Sequence, residues 1–131
     1  MAIGLRDFDV FRGDPAALPG SMATTLATIA PAPEVLRVAK LGERIIGCYA
    51  MHEPTSTDKQ VARPFSLAMV VVEQNCQGNG VGRWLIGHAI GVAESKGGRH
   101  LEARLHGPAD FFKGLGFQPT HDGFIFDMYP E

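Results

Sequence analysis

The sequence is poor in cysteine and has no long hydrophobic run. Its 131 residues include two cysteines, Cys48 and Cys76, and this low count fits free thiols in a reducing cytoplasm better than a disulfide framework. No stretch approaches the roughly 18 apolar residues that a membrane-spanning helix needs. The N-terminus also lacks the charged stretch followed by an apolar one that marks a signal peptide. We therefore expect a cytoplasmic protein with no membrane partner.

An excess of basic residues is missing as well. Twelve lysines and arginines stand against 14 aspartates and glutamates, for a formal net charge of -2, so nucleic acid is not an expected partner. The histidines, among them His88, His100, His106 and His121, lack the spacings typical of zinc ligands, and no metal is predicted. The length and the hydrophobic content of 45% predict one globular domain over residues 1–131.

The first half of the chain predicts a strand, two short helices and a hairpin. Partial alternation of apolar and polar residues indicates a strand over Ile3–Val10. Asp14 precedes a proline, as at many helix starts, and Ser21 is expected to cap a second helix that ends near Ile29. Two β-branched and apolar segments then flank a tight turn that contains Gly42, which is typical of a β-hairpin.

The second half predicts alternating strands and helices. "PFSLAMVVVE" is almost wholly apolar and reads as a strand buried on both faces. A helix is expected from Val81 to about Lys96, where Gly97 and Gly98 should end it. The residues that recur at helical spacing are Trp84, Leu85, His88, Ala89, Val92 and Ala93. "RHLEARL" is expected to be a strand, a short helix should end at Gly116, and "GFIFDMYPE" should close the sheet. The predicted order is β-αα-ββ-β-α-β-α-β, an α/β domain.

A glycine loop lies between the apolar strand and the helix that follows it. Gly78, Gly80 and Gly82 alternate with other residues just before the helix. The start of a helix presents free backbone N–H groups and partial positive charge, so it suits an anion such as phosphate or pyrophosphate. Glycine also lets the backbone approach that anion closely. The alternative is a glycine-rich turn that binds nothing.

The loop fits two well-known phosphate-binding patterns poorly. A P-loop needs Gly-Lys-Ser/Thr, whereas Arg83 follows Gly82 here. A dinucleotide-binding loop needs Gly-x-Gly-x-x-Gly with an acidic residue about 20 positions later. Glu102 has that separation from Gly82, but the glycine spacing differs and the loop lies mid-chain behind a hairpin. A Rossmann-like or other nucleotide-binding module remains an alternative.

Two motifs together resemble one family. Residues 77–82, "QGNGVG", resemble the Gln/Arg-x-x-Gly-x-Gly/Ala signature of the GNAT superfamily, the acyl-CoA-dependent N-acyltransferases. About 30 residues later, "FFKGLGF" resembles the second motif of that family, Phe-Tyr-x-x-x-Gly-Phe. The resemblance extends from about Glu34 to the C-terminus, and the last third is similar to small bacterial members of the ElaA and YjcF type. It implies a mixed, mainly antiparallel central sheet flanked by helices.

The resemblance implies where an acyl donor would bind. Acetyl-CoA would serve as the acyl-donor substrate, with its pyrophosphate on the backbone amides of the glycine loop. The pantetheine arm would bond to the main chain of the preceding strand, and an amide there would also polarise the thioester carbonyl. The implied cofactor-binding residues are Val70, Val71, Val72, Gln77, Gly78, Asn79, Gly80, Val81, Gly82 and Arg83.

The resemblance also implies acyl transfer to a primary amine. A lysine-type amine has a pKa near 10.4, so a base or a water chain must take its proton at neutral pH. His106, Glu102 and Glu73 are the candidates for that role. The family's usual acid is a tyrosine in the second motif, and this sequence has Phe112 there, which cannot donate a proton.

These considerations lead to one expected function and one alternative. The expected function is an N-acetyltransferase that moves an acetyl group from acetyl-CoA to a small-molecule, peptide or protein amine by direct attack in a ternary complex. The short N-terminal segment predicts an open acceptor cleft, and the resemblance implies a homodimer. The alternative is a non-catalytic coenzyme A sensor that regulates a partner protein, and it is motivated by Phe112.

Overall fold

Seven strands form one sheet in the order β1-β2-β3-β4-β5-β7-β6. The computed structural model describes residues 9–54, 64–78, 80–103, 109–120 and 123–127. The strands are β1 Asp9–Arg12, β2 Val35–Leu41, β3 Arg44–His52, β4 Pro64–Val72, β5 His100–Ala103, β6 Gln118–Pro119 and β7 Phe124–Asp127. The α-helices are α1 Gly20–Ala27, α2 Val81–Ser95 and α3 Ala109–Gly114.

All strand pairs are antiparallel except β4 and β5. The parallel pair is joined by α2, since a parallel connection needs a crossover of a dozen or more residues. This arrangement confirms the expected mixed, mainly antiparallel sheet flanked by helices. No helix among the described residues is long and apolar enough to cross a membrane.

The predicted hairpin is confirmed. Strands β2 and β3 are joined through Gly42 and Glu43, and Leu41 pairs with Arg44 across the turn. Gly42 has a φ of 63°, a left-handed conformation that a two-residue hairpin turn needs and that glycine adopts without steric cost. The sequence signal was strong here because the turn is local.

The N-terminal elements differ from the prediction. The first strand is β1 Asp9–Arg12, and residues 3–8 of the predicted strand lie outside the described residues. Asp14 does act as a cap, since its Oδ1 accepts from the Ala16 N–H at 3.0 Å, but it caps a 3-10 turn. The expectation that Ser21 caps a helix is wrong. Helix α1 begins one residue earlier, and the Ser21 carbonyl instead accepts from the Thr25 hydroxyl.

The C-terminal end contains one strand that the pattern did not predict. Gln118 and Pro119 form β6, which pairs with β7 at the sheet edge. Proline is tolerated on an edge strand because its missing N–H is not needed for hydrogen bonds to a strand on the outer side. The closing strand is confirmed over Phe124–Asp127, and residues 128–131 lie outside the described part of the chain.

The sheet buries apolar side chains on both faces. On the face that carries α2, here the α2 face, buried β3, β4 and β5 residues pack with Val81, Leu85, Ile86, Ala89 and Ala93 of the helix. On the opposite face, the α1 face, Met22 of α1 packs against β2, β3 and β4. Helix α2 is confirmed, but Trp84, expected on its apolar side, is 44% exposed.

The end of α2 is fixed by two glycines, as predicted. Gly97 adopts a φ of 83°, and the Gly98 N–H donates to the Ala93 carbonyl at 2.8 Å. This closure satisfies carbonyls that the helix end leaves open. A Cβ on Gly98 would lie 2.7 Å from Phe65 Cδ1 and 2.8 Å from the Ala93 carbonyl oxygen. Helix α2 therefore packs against the base of β4 with no room for a methyl group.

We predict opposite effects for two glycine-to-alanine substitutions at α2. Gly98→Ala should lower the free energy of unfolding by about 1–3 kcal/mol, since overpacking forces neighbouring atoms to shift. Gly91→Ala should raise it by about 0.5–1 kcal/mol, because a Cβ at Gly91 meets nothing within 4 Å and alanine is the better helix former. Urea denaturation of both variants measures the two changes. Equal free energies of unfolding for the two variants would contradict the close packing at Gly98.

One polar contact ties α2 to β3. The Tyr49 hydroxyl lies 2.8 Å from His88 Nδ1, and Tyr49 is fully buried. The pKa of His88 is lowered, first by burial and then by the Arg37 guanidinium. Burial also raises the pKa of Tyr49. At neutral pH the pair is therefore an uncharged hydrogen bond, which a low-dielectric interior strengthens.

This pair predicts an acid-sensitive contribution to stability. Because the folded pKa of His88 lies below its ordinary value of about 6.5, the unfolded chain takes up the proton first. The stabilisation is complete above the unfolded pKa and is lost as the pH falls through the lower folded pKa. His88→Gln keeps an acceptor for Tyr49 and cannot titrate in this range. Its melting temperature should fall less than that of the wild type between about pH 7.5 and pH 5, and parallel curves would count against the pair.

Candidate functional site

Strand β4 changes neighbours halfway along its length. Pro64 to Leu67 pair in parallel with β5, and Leu67 lies opposite Ala103 at the last pair. On the other side, Ala50 pairs with Met69 and Met51 with Leu67, so Ala68 is an extra residue in a β-bulge. Beyond the bulge, residues 68–72 have no strand beside them on the β5 side within the described part of the chain. We call this opening the β4–β5 gap.

The bulge also reverses which side chains face α2. Phe65 and Leu67 belong to the core of the α2 face, whereas Met69 belongs to that of the α1 face. Val70 and Val72 then return to the α2 face. Strand β4 alternates buried and half-buried residues from Pro64 to Val70. It contributes buried side chains to both faces of the sheet, as expected, with Phe65 and Leu67 on the α2 face and Met69 on the α1 face.

The hydrogen-bond pattern shows which backbone groups point into the gap. The Glu73 N–H donates to the Ile46 carbonyl at 2.8 Å, so the main chain of Glu73 points toward β3. Alternation along an antiparallel pair then directs Val71 toward β3, and Val70 and Val72 away from it. The Val72 carbonyl accepts from the Gln77 side chain at 3.1 Å. The Val70 amide and carbonyl and the Val72 amide therefore face the gap.

The glycine loop closes the far end of the gap. A 3-10 turn, Gln74–Cys76, follows β4, and Gly78 and Gly80 both have a φ of 83°. Only glycine adopts this conformation routinely, so the loop geometry explains both glycines. The side chain of Gln77 holds the loop against the end of β4 through its bond to Val72. Asn79 lies outside the described residues.

Helix α2 starts at the end of this loop with free donors. Gly80 is the N-cap, and no side chain caps the helix there. The first backbone bond into the turn is from the Trp84 N–H to the Gly80 carbonyl, at 3.0 Å. The N–H groups of Val81, Gly82 and Arg83 precede it and have no partner within the helix. Together with the helix dipole and the exposed Arg83 side chain, they suit a phosphate group.

A glycine within β3 sets the position of that helix start. A Cβ on Gly47 would lie 3.0 Å from Leu85 Cδ1 and 3.4 Å from Val81 Cγ1. The first turn of α2 therefore packs directly on the β3 backbone, close to the end of β4. This role of Gly47 was not predicted, although an isolated glycine in a strand is a known sign of close approach.

The three candidate proton acceptors have different surroundings. Glu73 forms a two-pronged ion pair with Arg44, with one of its contacts, Nε to Oε2, at 3.0 Å. This pair directs Glu73 toward the hairpin side of β4. Glu102 is half-buried in β5, opposite Ser66 of β4. His106 lies outside the described residues.

Glu102 lies on the α1 face of the sheet. Its neighbours Leu101 and Ala103 are buried in the core of the α2 face, so alternation places Glu102 on the other side. The same reasoning places Ser66 there, between Phe65 and Leu67. His52 pairs with Ser66, so His52, Ser66 and Glu102 form a polar row across β3, β4 and β5. The row lies beside the start of the gap.

Phe112 is part of an aromatic core. It is 3% exposed, stacks on Phe124 with ring centroids 4.7 Å apart, and meets Phe117 edge-on at 5.5 Å. Phe112 and Phe117 are both buried in the core. The ring is held by its neighbours in the position where the resembled motif has a tyrosine.

Both cysteines are buried, and neither forms a disulfide within the described part of the chain. Cys48 packs in the core of the α1 face and Cys76 in that of the α2 face. Burial raises the pKa of the Cys48 thiol to about 11, which keeps it protonated and unreactive at neutral pH. Cys76, although next to the glycine loop, is 4% exposed.

Comparisons with solved structures identify similar folds. A GNAT family acetyltransferase from Brucella melitensis in complex with acetyl-CoA superposes with a TM-score of 0.70 at 16% identity, covering 95% of this chain and 90% of that one. One from Elizabethkingia anophelis with acetyl-CoA bound has a TM-score of 0.64 at 20% identity, covering 88% and 78%. A Tyr-to-Phe mutant of the AtaT toxin, bound to the AtaR C-terminus and acetyl-CoA, has a TM-score of 0.70 at 17% identity, covering 92% and 93%.

Sequence comparison gives the family. A search of curated proteins found no significant match. The family model described as "Acetyltransferase (GNAT) domain" matches residues 32–119, which include the hairpin, β4, the glycine loop, α2, β5 and α3. This segment is more than half of the chain, so the chain belongs to the GNAT acetyltransferase family.

Proposed function

We propose that the protein transfers an acetyl group from acetyl-CoA to a primary amine by direct attack in a ternary complex. The observation that carries this proposal is the β4–β5 gap, which has free backbone groups on one side and the helix start of α2 at its end. An extended thioester with a phosphate group at its far end matches that geometry. The acetyl-CoA complexes of the Brucella and Elizabethkingia proteins support the choice of donor.

The backbone of this chain would hold the donor. The pantetheine arm would pair with Val70 and Val72 of β4 as an added strand, because their main-chain groups face the gap. Val71 would contribute through packing, since its main chain points to β3. The pyrophosphate would bind the amides of the loop and helix start, from Gln77 to Gly82, with Arg83 adding positive charge. Main-chain recognition of this kind needs no particular side chain on β4.

The transfer itself needs an uncharged amine and a stabilised intermediate. The amine nitrogen attacks the thioester carbonyl carbon, and an amide N–H of β4 at the bulge would stabilise the oxyanion. Phe112 cannot donate a proton to the leaving sulfur. A thiolate is a fair leaving group, so the reaction proceeds without a positioned acid.

Glu102 is the candidate best placed to hold the acceptor. It lies in the polar row beside the gap, on the α1 face of the sheet, opposite the face that carries α2. Its carboxylate would attract the ammonium form of the amine and keep it near the thioester. Glu73 is engaged by Arg44, so we propose that it fixes the end of β4. The prediction that His106 accepts the proton concerns a residue outside the described part of the chain.

A combined binding and turnover experiment tests the function. Calorimetric titration with acetyl-CoA, coenzyme A and NADH should show tight binding of the first two and none of the third. The same samples should then release free thiol from acetyl-CoA with at least one amine of a panel of diamines, amino sugars and lysine peptides. Preference for NADH would overturn the proposal, as would acetyl-CoA binding with no release on any amine.

We predict that Gly82→Glu abolishes acetyl-CoA binding. A glutamate side chain at the second residue of α2 would bring a carboxylate to the phosphate position, and the repulsion should weaken binding at least 100-fold. Gly87→Glu is the matched control, because it adds the same side chain to an exposed position of the same helix where a Cβ meets nothing within 4 Å. Calorimetry should show wild-type affinity for the control, and equal affinity of the two variants would place the phosphates elsewhere.

A non-catalytic coenzyme A sensor is the second candidate. It is favoured by Phe112, a buried ring in the place where the second motif of the family has a tyrosine hydroxyl. A sensor would bind acetyl-CoA through the same gap and loop, and would release no thiol with any amine. The thiol-release arm of the experiment above therefore separates the two candidates.

We predict that Phe112→Tyr changes turnover by less than about twofold. The new hydroxyl would enter a cluster of phenylalanine rings, and burial of a polar group there should cost about 1–3 kcal/mol of stability. Thiol release and urea denaturation measure the two effects. A gain in turnover of tenfold or more would instead show that the site uses an acid that Phe112 has replaced.

A further inference from the structure

A histidine–carboxylate pair lies on the α1 face next to the polar row. His100 Nδ1 in β5 is 2.6 Å from Asp127 Oδ1 in β7, and the two residues are directly paired across the strands. Their side chains are 33% and 42% exposed, so solvent and solutes reach them. A carboxylate only accepts hydrogen bonds, so Nδ1 carries the hydrogen and Nε2 of the neutral ring is left as the proton acceptor.

The His100–Asp127 pair lies close to Glu102 on the same face of the sheet. His100 and Glu102 lie two residues apart in β5, so they share the α1 face and their Cα atoms are separated by about 6.6 Å. Glu102 is the one closer to the gap, because β5 pairs with β4 as far as Ala103. An ammonium group held by Glu102 is therefore within reach of an imidazole at His100, directly or through one water.

The polarity of the α1 face favours approach of the acceptor amine from that side of the sheet. On the α2 face the gap is bordered by apolar side chains of α2 and by the aromatic core around Phe112. On the α1 face the buried contacts of α1 reach as far as β4, and the row of His52, Ser66 and Glu102 continues to His100 and Asp127. A charged amine loses less hydration on the polar side.

We propose that His100 takes the proton from the acceptor ammonium and that Asp127 is its positioning residue, an inference that rests on the proposed acetyltransferase function. His100 Nε2 accepts one proton from R–NH3+, which leaves R–NH2 and an imidazolium whose charge Asp127 stabilises. The amine lone pair forms the C–N bond to the acetyl carbonyl, and the C–S bond breaks. The second proton of the nitrogen passes to the coenzyme A thiolate, and the imidazolium returns its proton to solvent.

The division of roles follows from the chemistry of the two groups. A carboxylate is a weak base toward an ammonium group, but its full negative charge holds that group well. An imidazole accepts and releases protons near neutral pH and is suited to turnover. Glu102 therefore binds the amine, and His100 completes its activation.

The charged groups around His100 are few among the described residues. Asp127 faces it from β7 and Glu102 lies two residues further along β5, while the β4 residue paired with His100 is Pro64, which carries no charge. His52 of β3 lies beyond Ser66, with Glu34 Oε1 at 3.9 Å from its Nδ1. A change in the pH profile on substitution of His100 or Asp127 can thus be assigned to this pair, provided that Glu102 is varied separately.

The test compares variants of the full chain with the amine that the wild type acetylates in the panel above. His100→Gln and His100→Ala should lower kcat about 100-fold at neutral pH, the scale of general base catalysis, and leave acetyl-CoA affinity within twofold. Added imidazole should restore thiol release in His100→Ala in proportion to its concentration. Asp127→Asn should lower kcat and move the acidic limb of the pH profile. Glu102→Gln should chiefly raise KM for the amine.

Several results would overturn the proposal. Asp9→Asn, which removes an exposed carboxylate from the far edge strand, should behave as the wild type and serves as the control. Wild-type kcat in His100→Gln would exclude the role, and so would a loss that is equal at every pH and not restored by imidazole. If the wild type itself binds acetyl-CoA but acetylates no amine, the proposed function fails and this inference fails with it.

Discussion

The separation of β4 from β5 is the constraint on which the rest of the site depends. In a strand at the centre of a sheet, the backbone donors and acceptors normally all form hydrogen bonds with the two neighbouring strands. Among the described residues, β4 does so only as far as Leu67 and Ala103, and the bulge at Ala68 turns the rest of the strand. The Val70 and Val72 amides are thereby left facing an opening inside the fold. An extended ligand with hydrogen-bonding groups of its own would satisfy them.

Packing on the α2 face holds that opening at a fixed distance from the start of α2, the proposed anion site. Helix α2 lies on β3 and β4 because Gly47 at one end and Gly98 at the other allow close contact. The contacts fix where the helix begins, and Gln77 ties the preceding loop to the end of β4. The backbone groups of the gap and the free amides of the helix start are therefore held at one constant separation, as a long, two-part ligand requires.

The two faces of the sheet divide the work according to polarity. The α2 face is dry, with apolar helix residues and the stacked rings of Phe112 and Phe124. The α1 face beside β4 and β5 carries His52, Ser66, Glu102, His100 and Asp127. An apolar lining suits the acyl chain of a donor, while a charged amine is better accommodated among carboxylates and imidazoles. The proposed direction of attack follows from this asymmetry.

Much of the fold and the anion site could be read from the sequence, because their signals are local. The hairpin depends on a turn at Gly42, the loop on Gly78 and Gly80, and α2 on a repeat of apolar residues at helical spacing. Each is encoded within a short segment. The same locality explains the errors, since Ser21 and Trp84 were assigned by pattern where neighbouring elements decided otherwise.

The catalytic surroundings were decided by the tertiary structure. The partners of Glu73 and His100 are Arg44 and Asp127, each 27 or more residues away in the chain, and strand register alone brings them together. The same holds for Tyr49 and His88, and for Glu102, whose face depends on how β5 alternates beside β4. The sequence by itself determined a glycine loop followed by a helix start, an arrangement that suits a phosphate group. Only the folded sheet decided which carboxylates and imidazoles face the place where that ligand would react, because pairings between distant strands leave no periodic signal in the chain.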